Sequence, residues 1–161
     1  MRLLTIEAPG GGEERRAVSV ALGEWTRGLD IRLRFLNIGF EESVLVLDAP
    51  PGPGEPAASA LLAAERALER ERPAVVILHG GGPAALAAAV SAAKSGVPLV
   101  RTGAGRRDGP AADEERAADR LASVRLAPED RLAALRDEGL DGEPFTPAAA
   151  VRAALRLQRE A

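Results

Sequence analysis

The sequence has no cysteine and a single histidine, His79. Disulfides, thiolate catalysis and cysteine–metal centres are therefore excluded within this chain. With no second His to join the first, a zinc site has no ligand set. Aromatic residues are scarce, limited to Trp25 and three Phe. That removes the stacking platforms on which single-stranded nucleic acids are held, and it leaves Ala, Leu and Val to build the core. Lysine is almost missing as well: Lys94 is the only one, and arginine carries the remaining positive charge. The net charge is −3, with acids and bases interspersed, so no basic face addresses nucleic acid or an anionic membrane. No apolar run approaches ~18 residues, and the opening MRLLTIEA lacks a basic segment followed by a long apolar one. These absences set the expectation of a cytoplasmic protein with no cofactor and no metal, and with neither nucleic acid nor membrane as a partner.

What is present fits one ordinary domain: 161 residues, of which 46% are apolar. Short apolar runs alternate with longer amphipathic stretches. Arg2–Glu7 reads as a strand, followed by the glycine turn 10–12 and a helix over Glu13–Arg27, with acids at its start and Gly28 after its end. Ile31–Phe35 alternates as a half-exposed strand does. Val44–Asp48 reads as a more buried strand, and Ala49–Pro56, with four Pro and two Gly, as a rigid loop. Ala57–Glu71 follows as a helix. Ala74–Leu78 is a continuous apolar run of the kind found in central parallel strands. His79–Gly82 makes a glycine turn into the Ala-rich helix Pro83–Lys94, which Gly96 closes. The rest reads as a strand over Pro98–Val100, a loop over Gly103–Gly109, a helix over Ala112–Leu121, a strand over Ser123–Leu126, a helix over Pro128–Asp137, a last strand over Glu143–Phe145 and a final helix from Pro147 to Arg159 or Glu160. Repeated strand–helix units predict one α/β domain over 1–161, with a mostly parallel sheet, helices on both faces, and the segment 147–160 packed back on it.

From Pro73 to Gly139 the chain carries an ordered set of motifs. The run PAVVILHGGGPAALAAAVSAAKSGVPLVRTGAGRRDG is followed by DEERAADRLASVRLAPEDRLAALRDEGL. It resembles the N-terminal half of the UDP-N-acetylglucosamine 2-epimerase family, where an apolar strand ends in H-G-D-T. There an Ala-rich helix leads to G-I-P-V-(A/G)-H-V-E-A-G-L-R, and a P-E-E-x-N-R stretch and A-P-T-E follow. The resemblance implies a Rossmann-like domain of a two-domain, glycosyltransferase-B-like architecture. The second half of that architecture binds most of the UDP, and the catalytic cleft lies between the halves.

The family's motifs are degenerate here. Its opening G-T-R-P-E supplies a substrate-binding Arg, but the corresponding turn reads Ala8-Pro9-Gly10-Gly11-Gly12-Glu13. The Asp of H-G-D-T falls on Gly81, and the His and Glu of H-V-E-A-G fall on Arg101 and Gly103. The acidic pair survives as Glu114 and Glu115, either of which matches the family's acidic residue. Epimerisation at a sugar carbon needs acid–base groups on both faces of that carbon, so glycine at two acidic positions leads us to expect that the family reaction is lost.

Several residues remain candidates. His79, Glu114 and Glu115 are the catalytic candidates. Gly80, Gly81 and Gly82 end the best strand, where open α/β sheets bind ligands; the alternative is a His that only caps its turn. Arg101, Arg106 and Arg107 form either an anion pocket or a surface loop salted by Asp108 and Asp113. Glu114 and Glu115 are equally read as acids placed for the helix dipole. The turn Ala8–Glu13 fails both dinucleotide and P-loop patterns, and its acids oppose an anion there. Three functions follow: an inactive epimerase-like domain that binds a small anion or sugar nucleotide, or nothing, and self-associates as a homodimer; an isomerase subunit whose site another chain completes; or an interaction subunit for a separate C-terminal half or another sugar-nucleotide enzyme.

Overall fold

The computed structural model describes residues 2–25, 32–37 and 55–160, with side chains of 25, 32–37, 55 and 56 left out. The strand expected over Val44–Asp48 and most of the Pro-rich loop lie outside the described residues. Among them, six strands form one sheet: β1 (Arg2–Glu7), β2 (Arg32–Asn37), β3 (Val75–His79), β4 (Leu99–Arg101), β5 (Val124–Ala127) and the two-residue β6 (Glu143–Pro144), in the order β2-β1-β3-β4-β5-β6. Every pairing is parallel. Five helices of ten or more residues flank it, namely α1 (Gly12–Trp25), α2 (Glu55–Glu71), α3 (Gly82–Lys94), α4 (Ala112–Leu121) and α6 (Pro147–Glu160), together with the short α5 (Leu132–Asp137).

The period-two alternation of the strands sorts side chains to two faces. Leu4, Ile6, Val76 and Leu78 point into one layer with Ala60, Ala64, Ala67 and Leu68 of α2, Ala85, Ala88, Ala89 and Ala92 of α3 and Ala118 of α4. Leu3, Val75, Ile77, Val100, Val124 and Leu126 point into the other, against Val18 and Leu22 of α1 and Ala150, Val151 and Ala154 of α6. Small side chains let these helices lie close to the sheet and to one another, which is how a chain with so few aromatics fills its interior. Ser91 Oγ sits inside the first layer and donates to Ala87 O at 3.0 Å, one turn back in α3.

Two elements differ from the sequence expectation in ways that matter. The strand expected over Pro98–Val100 runs over Leu99–Arg101 instead. Pro98 has no N–H to give a ladder, and Arg101 continues the strand because its charge is neutralised inside the protein. The helix expected over Pro128–Asp137 starts as a 3-10 turn, Glu129–Arg131, and becomes α-helical only at Leu132.

The topology fixes where a ligand can approach. β1 lies at the point where the strand order reverses, with β2 on one side and β3 on the other. The chain leaves β1 into α1 on one face and leaves β3 into α3 on the opposite face. The crevice between two such departures, at the carboxyl ends of the strands, is where open α/β sheets hold their ligands.

Candidate functional site

The turns after β1 and β3 are fastened to each other. Ala8 N–H donates to His79 O at 2.8 Å, and Gly81 N–H donates to Pro9 O at 3.1 Å. A Cβ on Gly11 would collide with the His79–Gly80 backbone. Gly80 has φ +82°, and a side chain there would run into Ala8 O. Only glycine satisfies both the conformation and the space.

A crevice opens above these turns. It is lined by Pro9 and Gly10 after β1, Gly80 and Gly81 after β3, and Gly103 and Arg106 after β4, with Glu14, Glu115 and Arg131 reaching in from helices. Its cavity volume is about 40 Å³, room for roughly three waters on the same measure.

The structure places the sequence candidates at three depths. His79 is fully buried and lies below the crevice rather than in its lining. Its Nδ1 is 2.8 Å from Thr102 Oγ1, and its Nε2 is buried without a hydrogen-bond partner among the described residues. Burial, with the nearby Arg15 cation in second place, lowers its pKa to about 4, so the ring is neutral at pH 7. Thr102 Oγ1 lies within reach of Glu14 Oε2 at 3.2 Å and of Leu78 O at 3.3 Å. The hydroxyl carries one proton and donates to one partner at a time, and His79 Nδ1 donates to it or accepts from it according to the tautomer of the neutral ring. His79, Thr102 and Glu14 thus form a chain of hydrogen bonds that ends at a carboxylate in the crevice wall.

Glu115 and Arg101 belong to a second, buried assembly. Arg101 and Asp119 are wholly inaccessible and Glu115 nearly so. Arg101 Nη2 pairs with Glu115 Oε2, and Arg101 Nε lies 2.6 Å from Asp119 Oδ1. Glu115 Oε1 accepts the Gly82 N–H at 2.9 Å, at the start of α3, and Asp119 Oδ2 accepts Gly105 N–H at 3.0 Å and Arg107 Nη1 at 2.8 Å. Arg107 in turn grips both oxygens of Glu138 at 2.7 and 2.9 Å. Its own hydrogen bonds and charge partners outweigh desolvation and raise its pKa, while the Arg107 hydrogen bond foremost lowers that of Glu138.

The three arginines considered together in the sequence are therefore separated. Arg101 is an interior counter-ion, Arg107 clamps a loop to the end of α5, and Arg106 alone lines the crevice, with 48% of its side chain exposed. Glu114 is half-buried and does not line the crevice, whereas Glu115 does. Gly82 begins α3 and sits outside the lining, but its N–H holds Glu115.

Sequence reasoning missed Glu14, Thr102, Asp119 and Arg131. A signal existed for Asp119. Glu115, Ala118, Asp119 and Ala122 recur at i, i+3, i+4 and i+7, so two carboxylates lie on the stripe that faces the core, and two buried carboxylates call for a buried cation. Glu14 carried no comparable signal, since an acid in the first turn of a helix is ordinary.

Two of the glycines that stand where the resemblance puts acidic residues have carboxylates beside them. A Cβ on Gly81 would collide with Glu115 Oε1, and a Cβ on Gly103, whose φ is +68°, would come within 3.0 Å of Glu14 Oε1.

No protein-family model matches the chain, and no curated protein sequence matches it. Solved structures do. The UDP-GlcNAc 2-epimerase of Neisseria meningitidis bound to UDP-GlcNAc superposes with a TM-score of 0.73 at 19% identity, covering 99% of this chain and 51% of that one. The UDP-GlcNAc 2-epimerase of Methanocaldococcus jannaschii gives 0.70 at 20%, over 100% and 50%. S. aureus MnaA with UDP gives 0.71 at 18%, over 94% and 47%. The chain thus has the α/β fold of one half of these epimerases, as the motifs led us to expect, and spans about half their length.

Proposed function

We propose that this chain is half of a sugar-nucleotide site: it binds the sugar-bearing end of a UDP-sugar in the crevice above β1, β3 and β4, and does not epimerise it unaided. The observation that carries this reading is the crevice itself, set at the reversal point of the sheet and lined by glycine backbone, two carboxylates and two guanidinium groups. The fold it shares with proteins solved with UDP-GlcNAc and UDP supports the ligand class. Its volume of about 40 Å³ supports a partial site, because ligand pockets for whole small molecules run to ~300–1,000 Å³. Most of the nucleotide then lies outside this domain, against a second body, and we propose a second copy of the chain as that body. Loss of turnover follows from the glycines at 81 and 103 and from the commitment of Glu115 to Arg101.

The test is calorimetric and thermal-shift titration of the full chain with UDP-GlcNAc, UDP, phosphate and sulfate, together with NMR observation of UDP-GlcNAc over time and sedimentation of the free and liganded chain. A ligand at ~100 times its Kd that binds only the folded state adds ~2.7 kcal/mol of stability. Stabilisation by UDP-GlcNAc without formation of its C2 epimer supports the reading. Absence of binding sinks it, and accumulation of the epimer replaces it with that of a working isomerase.

A further inference from the structure

We propose that Glu14 is the residue that recognises the sugar, its carboxylate accepting a hydroxyl or amide proton of the ligand at the inner wall of the crevice. The inference rests on the sugar-nucleotide reading above and adds to it a residue and an orientation.

The crevice holds two carboxylates, and they differ in their partners: Glu115 is ion-paired to the buried Arg101, whereas Glu14 is held by the neutral Thr102 hydroxyl and Gly80 N–H. Both oxygens of Glu115 are engaged, one by Gly82 N–H and the other by Arg101. Glu14 accepts from the Thr102 hydroxyl and from the Gly80 N–H, which uses two of the roughly four acceptor positions of a carboxylate. Its Oε1 lies over Gly103, where the missing side chain keeps the space open. The carboxylate is held in place from below by Thr102, which is wholly buried and itself braced by His79 and, through its backbone N–H, by Leu78 O. That is the arrangement of a positioned acceptor rather than of a side chain free in solvent.

Orientation follows from charge. A phosphate pressed against Glu14 meets like charge, whereas Arg106 and Arg131 offer guanidinium groups elsewhere in the lining. The phosphates therefore lie toward Arg106 and Arg131, and the donors of the sugar lie toward Glu14. The raised pKa of Glu14, due first to burial and opposed by its hydrogen bonds with Thr102 and Gly80 and by the Arg101 and Arg131 charges, fits a group whose desolvation a donor from the ligand would relieve.

The experiment compares Kd for UDP-GlcNAc and UDP in the wild type, Glu14→Gln, Thr102→Val and Thr102→Ser, with unfolding midpoints recorded for each. We expect the wild type to bind UDP-GlcNAc about tenfold more tightly than UDP, the size of one hydrogen bond to a charged acceptor. Glu14→Gln should keep its UDP affinity and lose the difference between the two ligands. Thr102→Val should lose part of it and Thr102→Ser should restore it. If Glu14→Gln does not fold, Glu14→Asp, which draws the carboxylate back by one carbon, is measured in its place with the same expectation. A variant at position 14 that retains the tenfold difference overturns the role of Glu14 and leaves the sugar-nucleotide reading standing. Equal wild-type affinity for the two ligands does the same. A wild type that binds neither overturns both.

Discussion

Two polar regions lie side by side at the carboxyl end of the sheet, and they are built in opposite ways. Around Arg101 every buried charge has an opposite charge against it: Glu115 and Asp119 on Arg101, Arg107 on Asp119, and Glu138 on Arg107. Around His79 the groups are neutral or hydrogen-bonded, and among the described residues His79 Nε2 has no hydrogen-bond partner. The first region is held by ion pairs, with Arg101 Nη1 buried and without a hydrogen-bond partner among the described residues, and joins β4, α4 and α5 into a wall. The second is open on the crevice side. Residues that look alike in the sequence, such as Glu14 and Glu115 or Arg101 and Arg106, take different parts because they fall in different regions.

The sharpest way to break the contrast is to remove the central cation. Arg101→Met leaves Glu115 buried without its counter-ion and Asp119 with Arg107 alone, and we expect a loss of about 3–5 kcal/mol, read from urea unfolding. A loss below 1 kcal/mol would mean that the wall does not depend on its charges. Next comes pH. His79 is held neutral with a pKa of about 4 against an ordinary value of 6.5. The unfolded chain binds more protons than the native one between those values, so stability rises with pH across that window. It is fully present above pH 6.5 and falls by on the order of 3 kcal/mol toward pH 4. Glu14, with its raised pKa, contributes in the opposite sense, favouring the native state at low pH, and Glu138, lowered by Arg107, loses its contribution as pH falls below 4.5. The difference in unfolding free energy between wild type and His79→Asn, measured from pH 4 to 7.5, isolates the histidine, and a difference that does not vary with pH would contradict its buried, neutral state.

Smaller effects test the seam between the regions. Gly81 has an ordinary extended backbone, φ −149° and ψ −168°, so Gly81→Ala is purely a steric change against Glu115. We expect a loss of ~1–3 kcal/mol in thermal unfolding, and an unchanged midpoint would show that Glu115 moves aside freely. Arg106→Ala should change stability by less than ~0.5 kcal/mol while weakening UDP and UDP-GlcNAc alike. A loss confined to UDP-GlcNAc would place the sugar, not the phosphates, at the arginine.

Much of the scaffold was legible because it rests on periodicity. Arg2–Glu7 and Ala112–Leu121 form the strand and helix expected of them, and the strand expected over Ala74–Leu78 shifts by one residue at each end to Val75–His79. The site was less legible, because its partners are set by topology. Arg101 finds Asp119 only once β4 and α4 are in place, and no local pattern distinguishes it from the exposed Arg106 five residues on. Thr102 was invisible for the same reason: its hydroxyl matters because β3 and α1 bring His79 and Glu14 to it.

The fastening of the two glycine turns has an entropic consequence. The backbone that floors the crevice is tied across β1 and β3 before any ligand arrives. Closing a loop over a ligand adds an ordering cost to association, and a floor that is already rigid avoids it. Association at this site should therefore resemble docking onto a preformed surface, with little change in the protein's own motion, and affinity should be governed by what completes the other side of the crevice.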